Sequence, residues 1–244
     1  MVSLNNPNQE TLQKKLLQLF QDIIALVFPK ICYGCGTLLD SFEKVICTAC
    51  HVDAPLTDFH LLQQNNLQEK FKEWFAVRNA TALFYFQKEG VVAALIHQFK
   101  YNGVVEIGVF LGNWLGWQIK ESPFYKEIHF IVPVPLHRKR ERKRGFNQAL
   151  IIAKEISKII EVPLMENALV RKKNTKQLAH IGIEERWKEI QNAFEVNLIL
   201  ENSSKHFLLV DDVITTGATL NACSQSLQKC SNGEISIAAL AFRL

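Results

Sequence analysis

The sequence predicts an α/β protein, a parallel sheet flanked by helices, with a small cysteine-rich module in front of it. Three observations carry this. From about residue 80, short apolar runs rich in β-branched residues alternate with amphipathic helical stretches, the pattern of βαβ units. The runs Ile128 to Val134 and Phe207 to Val210 are largely apolar, as expected of strands covered on both faces. Before residue 60, Cys32-x2-Cys35 and Cys47-x2-Cys50 repeat the spacing of a metal knuckle.

A chain of 244 residues suits one medium domain with a small appendage, or two small domains. Hydrophobic content of 48% and charged content of 21% predict a packed core and exclude global disorder. A net charge of +4 points to no particular partner, but its distribution is uneven: six of the seven residues Arg138 to Arg144 are basic. The boundaries expected are 1–60 for an amphipathic helix plus the cysteine module, 61–79 for a linker or loosely packed helix, and 80–244 for the α/β domain.

Leu12, Leu16, Leu19, Phe20, Ile23, Ile24 and Val27 recur at helical spacing, interrupted by Gln18, Gln21 and Asp22. That reads as a docking helix rather than a signal peptide, with a membrane-surface helix as the alternative. No stretch reaches the roughly 18 apolar residues that span a bilayer. Six cysteines without a disulfide-dense layout point to the reducing cytoplasm.

The two cysteine pairs, separated by eleven residues, would close a tetrahedron around a divalent ion, with zinc as the expected structural metal. Disulfides and unliganded thiols are the alternatives. Tyr33, Gly34 and Gly36 supply the turn, and His51 is expected beside the site rather than in it. Cys223 and Cys230 read as buried helix residues.

Beyond the module, strands are expected at Thr81 to Phe86, Ile128 to Val134, Phe207 to Val210 and Glu234 to Ala241. Helices are expected at Val91 to Tyr101, Ile107 to Lys120, Phe146 to Ile160 and Gly217 to Lys229. Ligands of such sheets sit at the carboxyl ends of the strands. One of those ends carries Asp211-Asp212, followed by Thr215-Thr216-Gly217-Ala218-Thr219 at the start of a helix. Turn amides and a helix N-terminus attract phosphate, Gly217 permits close approach, and the threonines add hydroxyl donors. Two carboxylates suit a ribose diol, which donates hydrogen bonds. The composite reads as a ribose-5-phosphate site. It is neither a Walker A loop nor a dinucleotide fingerprint, since the glycine patterns of both are missing. The plain alternative is an Asp-capped helix after a strand.

This segment closely resembles the phosphoribosyl pyrophosphate signature of type I phosphoribosyltransferases. The whole chain resembles the ComF family, which joins a four-cysteine zinc module to that domain. The resemblance runs through Leu26 to Cys32, Phe99-Lys100-Tyr101, Pro133 to His137, Arg144-Gly145-Phe146-Asn147-Gln148, Arg171-x3-Thr175, Glu185-Arg186 and Ala193-Phe194. It implies the type I phosphoribosyltransferase fold, with Asp211 and Asp212 holding the ribose hydroxyls as the catalytic acids. Thr215, Thr216, Gly217, Ala218 and Thr219 would cradle the 5′-phosphate, and Val134 and Pro135 would face the pyrophosphate. Magnesium would accompany the ligand, and the function would fall within nucleoside metabolism. The family's link to competence implies single-stranded DNA and other DNA-uptake proteins as partners. Gln177 lies one residue nearer Thr175 than the family pattern, and Glu189 replaces a common asparagine, so Arg186 is the better candidate there.

Three readings of the run Arg138, Lys139, Arg140, Arg142, Lys143 and Arg144 stay open: a solvated loop, a basic loop closing over pyrophosphate, or a DNA track with Phe146 as a stacking platform. Lys100, Arg171 and Arg186 are further candidates for anion contacts. Two functions remain in view: transfer of a phosphoribosyl group to an unidentified nucleophile, or non-catalytic sensing of the ligand by a DNA-binding protein.

Overall fold

The structure is a computed structural model that describes residues 29–172, 193–197, 205–230 and 233–244. The chain divides into two compact units, 1–53 and 54–244. The amphipathic stretch at 12–27 and the candidates Thr175, Gln177, Glu185, Arg186 and Glu189 lie outside the described residues.

In the smaller unit, an antiparallel bridge joins Ile31 to Leu38, and helix α1 (Thr48–Val52) begins at Cys47, whose sulfur accepts from the Cys50 amide. Val45, Ile46, Cys32 and Cys50 are its buried side chains.

The larger unit is built on four parallel strands in the order β1-β6-β5-β2. These are β1 (Val77–Tyr85), β2 (Phe130–Pro133), β5 (His206–Ile214) and β6 (Glu234–Phe242). A separate antiparallel pair, β3 (Leu169–Arg171) with β4 (Phe194–Val196), was not expected, because three-residue strands are too short to show a period. The central strands β5 and β6 are buried almost end to end, which is why their sequences run apolar rather than alternating.

Of the linker or loosely packed helix expected at 61–79, the helix is what forms, and it is tightly packed. Helix α2 (Asn66–Phe71) forms there behind a capping box, in which Asn65 accepts from the Gln68 amide and Gln68 accepts from the Asn65 amide. Leu67 and Phe71 are fully buried, and β1 begins at Val77. Of the polar residues that resembled a linker, Gln63 and Gln64 are exposed ahead of the helix, Asn65 is its cap and Asn66 its exposed first residue.

Helices α3 (Val91–Tyr101), α4 (Val105–Glu121) and α6 (Gln148–Ile160) follow the expected stripes. Gly108, Gly112 and Gly116 recur every fourth residue along α4. A Cβ on Gly112 would meet the Ile152 Cα at 3.1 Å, and one on Gly116 the Ile156 Cα at 3.3 Å. The stripe lets α4 and α6 approach closely.

The basic run is a helix, not a loop. Helix α5 (Arg138–Arg144) starts where His137 Nδ1 accepts from the Lys139 amide at 3.2 Å, and stops where Gly145 turns to φ 87°. Arginine and lysine are good helix formers, and three cations in the last turn complement the helix dipole. Among the described residues, no helix is long and apolar enough to cross a membrane.

Candidate functional site

The site follows from unequal strand lengths. Pairing between β2 and β5 ends at Pro133 opposite Val210, with a last bond from the Val134 amide to the Val210 carbonyl at 2.8 Å. Pairing between β5 and β6 continues to Ile214 opposite Phe242. Asp211 and Asp212 are therefore part of β5 rather than lying beyond it, on a stretch that β2 no longer covers.

A cavity of about 170 Å³ borders that stretch. Of the expected site residues it gathers Lys100, Val134, Pro135, Arg140, Arg144, Arg171, Asp211, Asp212 and Thr219. Arg138 is exposed and does not line it. Thr215, Thr216, Gly217 and Ala218 form the adjoining turn, with both threonines exposed. Helix α7 (Ala218–Gln228) opens there without a side-chain cap on Gly217, while Thr216 Oγ1 accepts from the Ala218 amide at 3.4 Å. Gly217 has φ 82°, and a Cβ there would lie 2.7 Å from the Phe71 ring. The turn therefore rests on α2 and needs glycine for two reasons at once.

Larger hollows of about 520 and 550 Å³ lie at the opposite, amino-terminal ends of the strands, beside Arg78, Lys126 and Glu127. There Arg78 pairs with Glu127 and Glu234, so its charge is already matched. The smaller cavity holds the convergent chemistry.

Helical periodicity sorts the basic run. Arg140 and Arg144, four residues apart, line the cavity, whereas Arg138, Lys139, Arg142 and Lys143 are exposed. Arg144 donates to Gln148 Oε1 at 2.9 Å and lies 5.5 Å from the Tyr101 ring. Phe146, a candidate stacking platform, instead packs on Phe99 at 5.6 Å, and the exposed ring at this rim is Tyr101.

Sequence reasoning did not place Asn147 or Gln148 in the site. Asn147 caps α6 and donates from Nδ2 to the Val134 carbonyl at 3.1 Å, tying helix to loop. Gln148 is buried in the cavity wall, and its Nε2 and the Arg140 Nε have no hydrogen-bond partner among the described residues. Enclosed donors without acceptors are what an anion would satisfy. The signal was present in Asn147-Gln148, which lies within the stretch of family resemblance but implies no role by itself.

Four cations and two acids face one another here. Lys100 Nζ lies 2.8 Å from one oxygen of Asp212, and Arg144 lies 3.9 Å from the other. Asp211 makes no ion pair among the described residues. Loss of solvent, and next the charge of Asp212, push its carboxyl up to about 7. Burial, and next Arg140, lower the Arg171 guanidinium, which sits 5.1 Å from the Phe194 ring. His137 is lowered too, first by its position and then by the surrounding cations.

In the smaller unit, Cys32, Cys35, Cys47 and Cys50 place their sulfurs within 4.8 Å of one another. Cys35 and Cys47 are 3.7 Å apart at sulfur, against the ~3.8 Å that a tetrahedral zinc–thiolate site requires. Amides of Gly34 and Cys47 donate to Cys32 Sγ at 3.4 and 3.3 Å. The Thr37 hydroxyl brings the Cys35 thiol down to about 6, while burial pushes Cys50 up. The cluster is compatible with a structural zinc. Of the other two cysteines, Cys223 is buried in α7, whereas Cys230 is exposed just past its end.

Sheet order and site together define a type I phosphoribosyltransferase fold. The phosphoribosyl transferase domain family matches residues 147–244. Competence protein F of Haemophilus influenzae is 31% identical over 154 residues, covering 62% of this chain and 67% of that protein. DNA utilization protein YhgH of Escherichia coli is 28% identical over 200 residues (81% and 83%), and competence protein ComFC of Bacillus subtilis 27% over 206 residues (81% and 78%). A purine phosphoribosyltransferase from Pyrococcus horikoshii superposes on 59% of this chain and 76% of its own, with a TM-score of 0.35 at 21% identity. The chain belongs to the ComF family.

The raised carboxyl of Asp211 sets a pH dependence. A carboxyl raised in the folded state favours the protonated form, so its ionisation costs stability fully above pH 7. That cost fades as pH falls towards the unfolded value of about 4. Asp211→Asn should raise the melting temperature above pH 7 and lose this gain as the pH falls to about 4. A melting-temperature difference that does not vary over this range would contradict the assignment.

Proposed function

We propose that this protein binds phosphoribosyl pyrophosphate in the cavity beside β5 and works, in the cytoplasm, with the machinery that takes up and uses DNA. The observation that carries the reading is the meeting of Asp211 and Asp212, the uncapped start of α7 and Lys100, Arg140, Arg144 and Arg171 around one small space. Carboxylates accept from ribose hydroxyls, α7 and its threonines receive the 5′-phosphate, and Arg140 and Arg144 receive the pyrophosphate. Magnesium would accompany the ligand chiefly through the oxygens of the pyrophosphate and ribose, since a hard divalent ion takes oxygen donors. Transfer of the phosphoribosyl group would let the same arginines stabilise charge gathering on the leaving pyrophosphate.

A second reading concerns the outer face of α5. Arg138, Lys139, Arg142 and Lys143 are exposed on this helix, and the exposed Tyr101 ring lies 5.5 Å from its Arg144. That combination suits a single-stranded nucleic acid. The competence and DNA-utilization names of the relatives are consistent with it.

Calorimetry separates the two faces. Arg140→Gln with Arg144→Gln should weaken phosphoribosyl pyrophosphate about tenfold or more, as the loss of charge-assisted hydrogen bonds implies, and leave ribose 5-phosphate nearly unchanged. Arg138→Gln with Arg142→Gln should spare that ligand, weaken single-stranded DNA and flatten its salt slope by about 0.7 for each phosphate no longer neutralised. Full affinity of the first variant for phosphoribosyl pyrophosphate would remove the pyrophosphate reading.

The four cysteines are proposed to hold a structural zinc. A site with four thiolates has no open position for catalysis. Elemental analysis should find about one zinc per chain, absent in Cys47→Ser with Cys50→Ser. Metal-free reduced protein with an intact fold would contradict it.

A further inference from the structure

Lys100 was expected to contact an anion of the ligand. Its ammonium is instead engaged by Asp212, at 2.8 Å. The two side chains are only 15% and 14% exposed, so water screens the pair weakly. Phe99, fully buried, anchors the preceding residue, and Lys100 stands in the last turn of α3, where a cation is favoured. The other Asp212 oxygen faces Arg144. Both oxygens of this acid therefore meet cations before any ligand arrives, while Asp211 has no ion pair among the described residues.

A divalent ion at a phosphate site is held by one or two carboxylates together with the phosphates and water. With Lys100 and Arg144 already at its two oxygens, Asp212 has no oxygen left without a cation for such an ion. We propose that Lys100 is a built-in counter-ion at Asp212 that stands in for a divalent cation, so that phosphoribosyl pyrophosphate binding depends only weakly on magnesium. This rests on the reading of the cavity as the site of that ligand. The charges agree: Lys100, Arg140, Arg144 and Arg171 outnumber Asp211 and Asp212 along the wall, so a polyanion meets an excess of positive charge without an added metal. The asymmetry of the acids gives each a role. Asp212 anchors the ammonium, and Asp211 is left to accept from the ribose.

The test is calorimetric titration of phosphoribosyl pyrophosphate into the full chain, once in excess EDTA and once in saturating magnesium. Wild-type, Lys100→Met and Lys100→Arg proteins are compared, each checked by thermal melting. Wild-type affinity should change by less than about tenfold between the two conditions. Lys100→Met, which keeps the length and loses the charge, should lose about tenfold or more in EDTA and regain most of it in magnesium. Lys100→Arg should behave as wild type. An equal dependence on magnesium in wild type and Lys100→Met overturns the proposal. So does an equal loss in both conditions, which would make Lys100 a plain ligand contact. If Lys100→Met does not fold, a strict magnesium requirement in wild type decides against the proposal and weak dependence there supports it. Absence of binding to folded wild type in both conditions removes this proposal and the ligand reading together, whereas binding with the wrong metal dependence removes this one alone.

Discussion

The site depends on one mismatch in the sheet. β5 runs on beside β6 after β2 has ended: pairing with β2 stops at the bond from the Val134 amide to the Val210 carbonyl, whereas pairing with β6 continues to Ile214. Without that overhang, Asp211 and Asp212 would face another strand. With it, they face a space that α5, α6 and the end of α3 enclose. The same strand delivers the chain to the turn at Thr215–Thr219, so acids and turn keep a fixed distance.

Two helix contacts hold the walls. The glycine stripe of α4 admits α6 closely, and Asn147 at the head of α6 ties back to Val134 in the loop after β2. On the other side, Phe71 of α2 leaves no room for a side chain on Gly217. Charge is sorted by helical geometry: a four-residue interval directs Arg140 and Arg144 inward and leaves the intervening and flanking cations in solvent. One basic run thus presents two surfaces of different chemistry.

Much of this was legible in the sequence. Long apolar runs gave the four sheet strands, because a strand buried on both faces carries no polar alternation. The signature from Phe207 to Thr219 pointed to the candidate site, because its chemistry is contiguous in the chain. What stayed hidden depends on distant residues. Residues 61–79 looked like a linker or a loosely packed helix because their polar residues dominate, yet Leu67 and Phe71 are fully buried. The helix at Arg138–Arg144 looked like a loop because a charge run shows no apolar stripe. Lys100 looked like an anion contact, since nothing in its neighbourhood along the chain announces Asp212.

The structure of the protein with phosphoribosyl pyrophosphate tests the central claim most directly. The account predicts the 5′-phosphate at Thr215 to Thr219, the ribose at Asp211, and the pyrophosphate between Pro135 and the pair Arg140 and Arg144. Polyphosphate held instead at the amino-terminal strand ends, beside Arg78, Lys126 and His129, or an empty β5 cavity at saturating ligand, would contradict it.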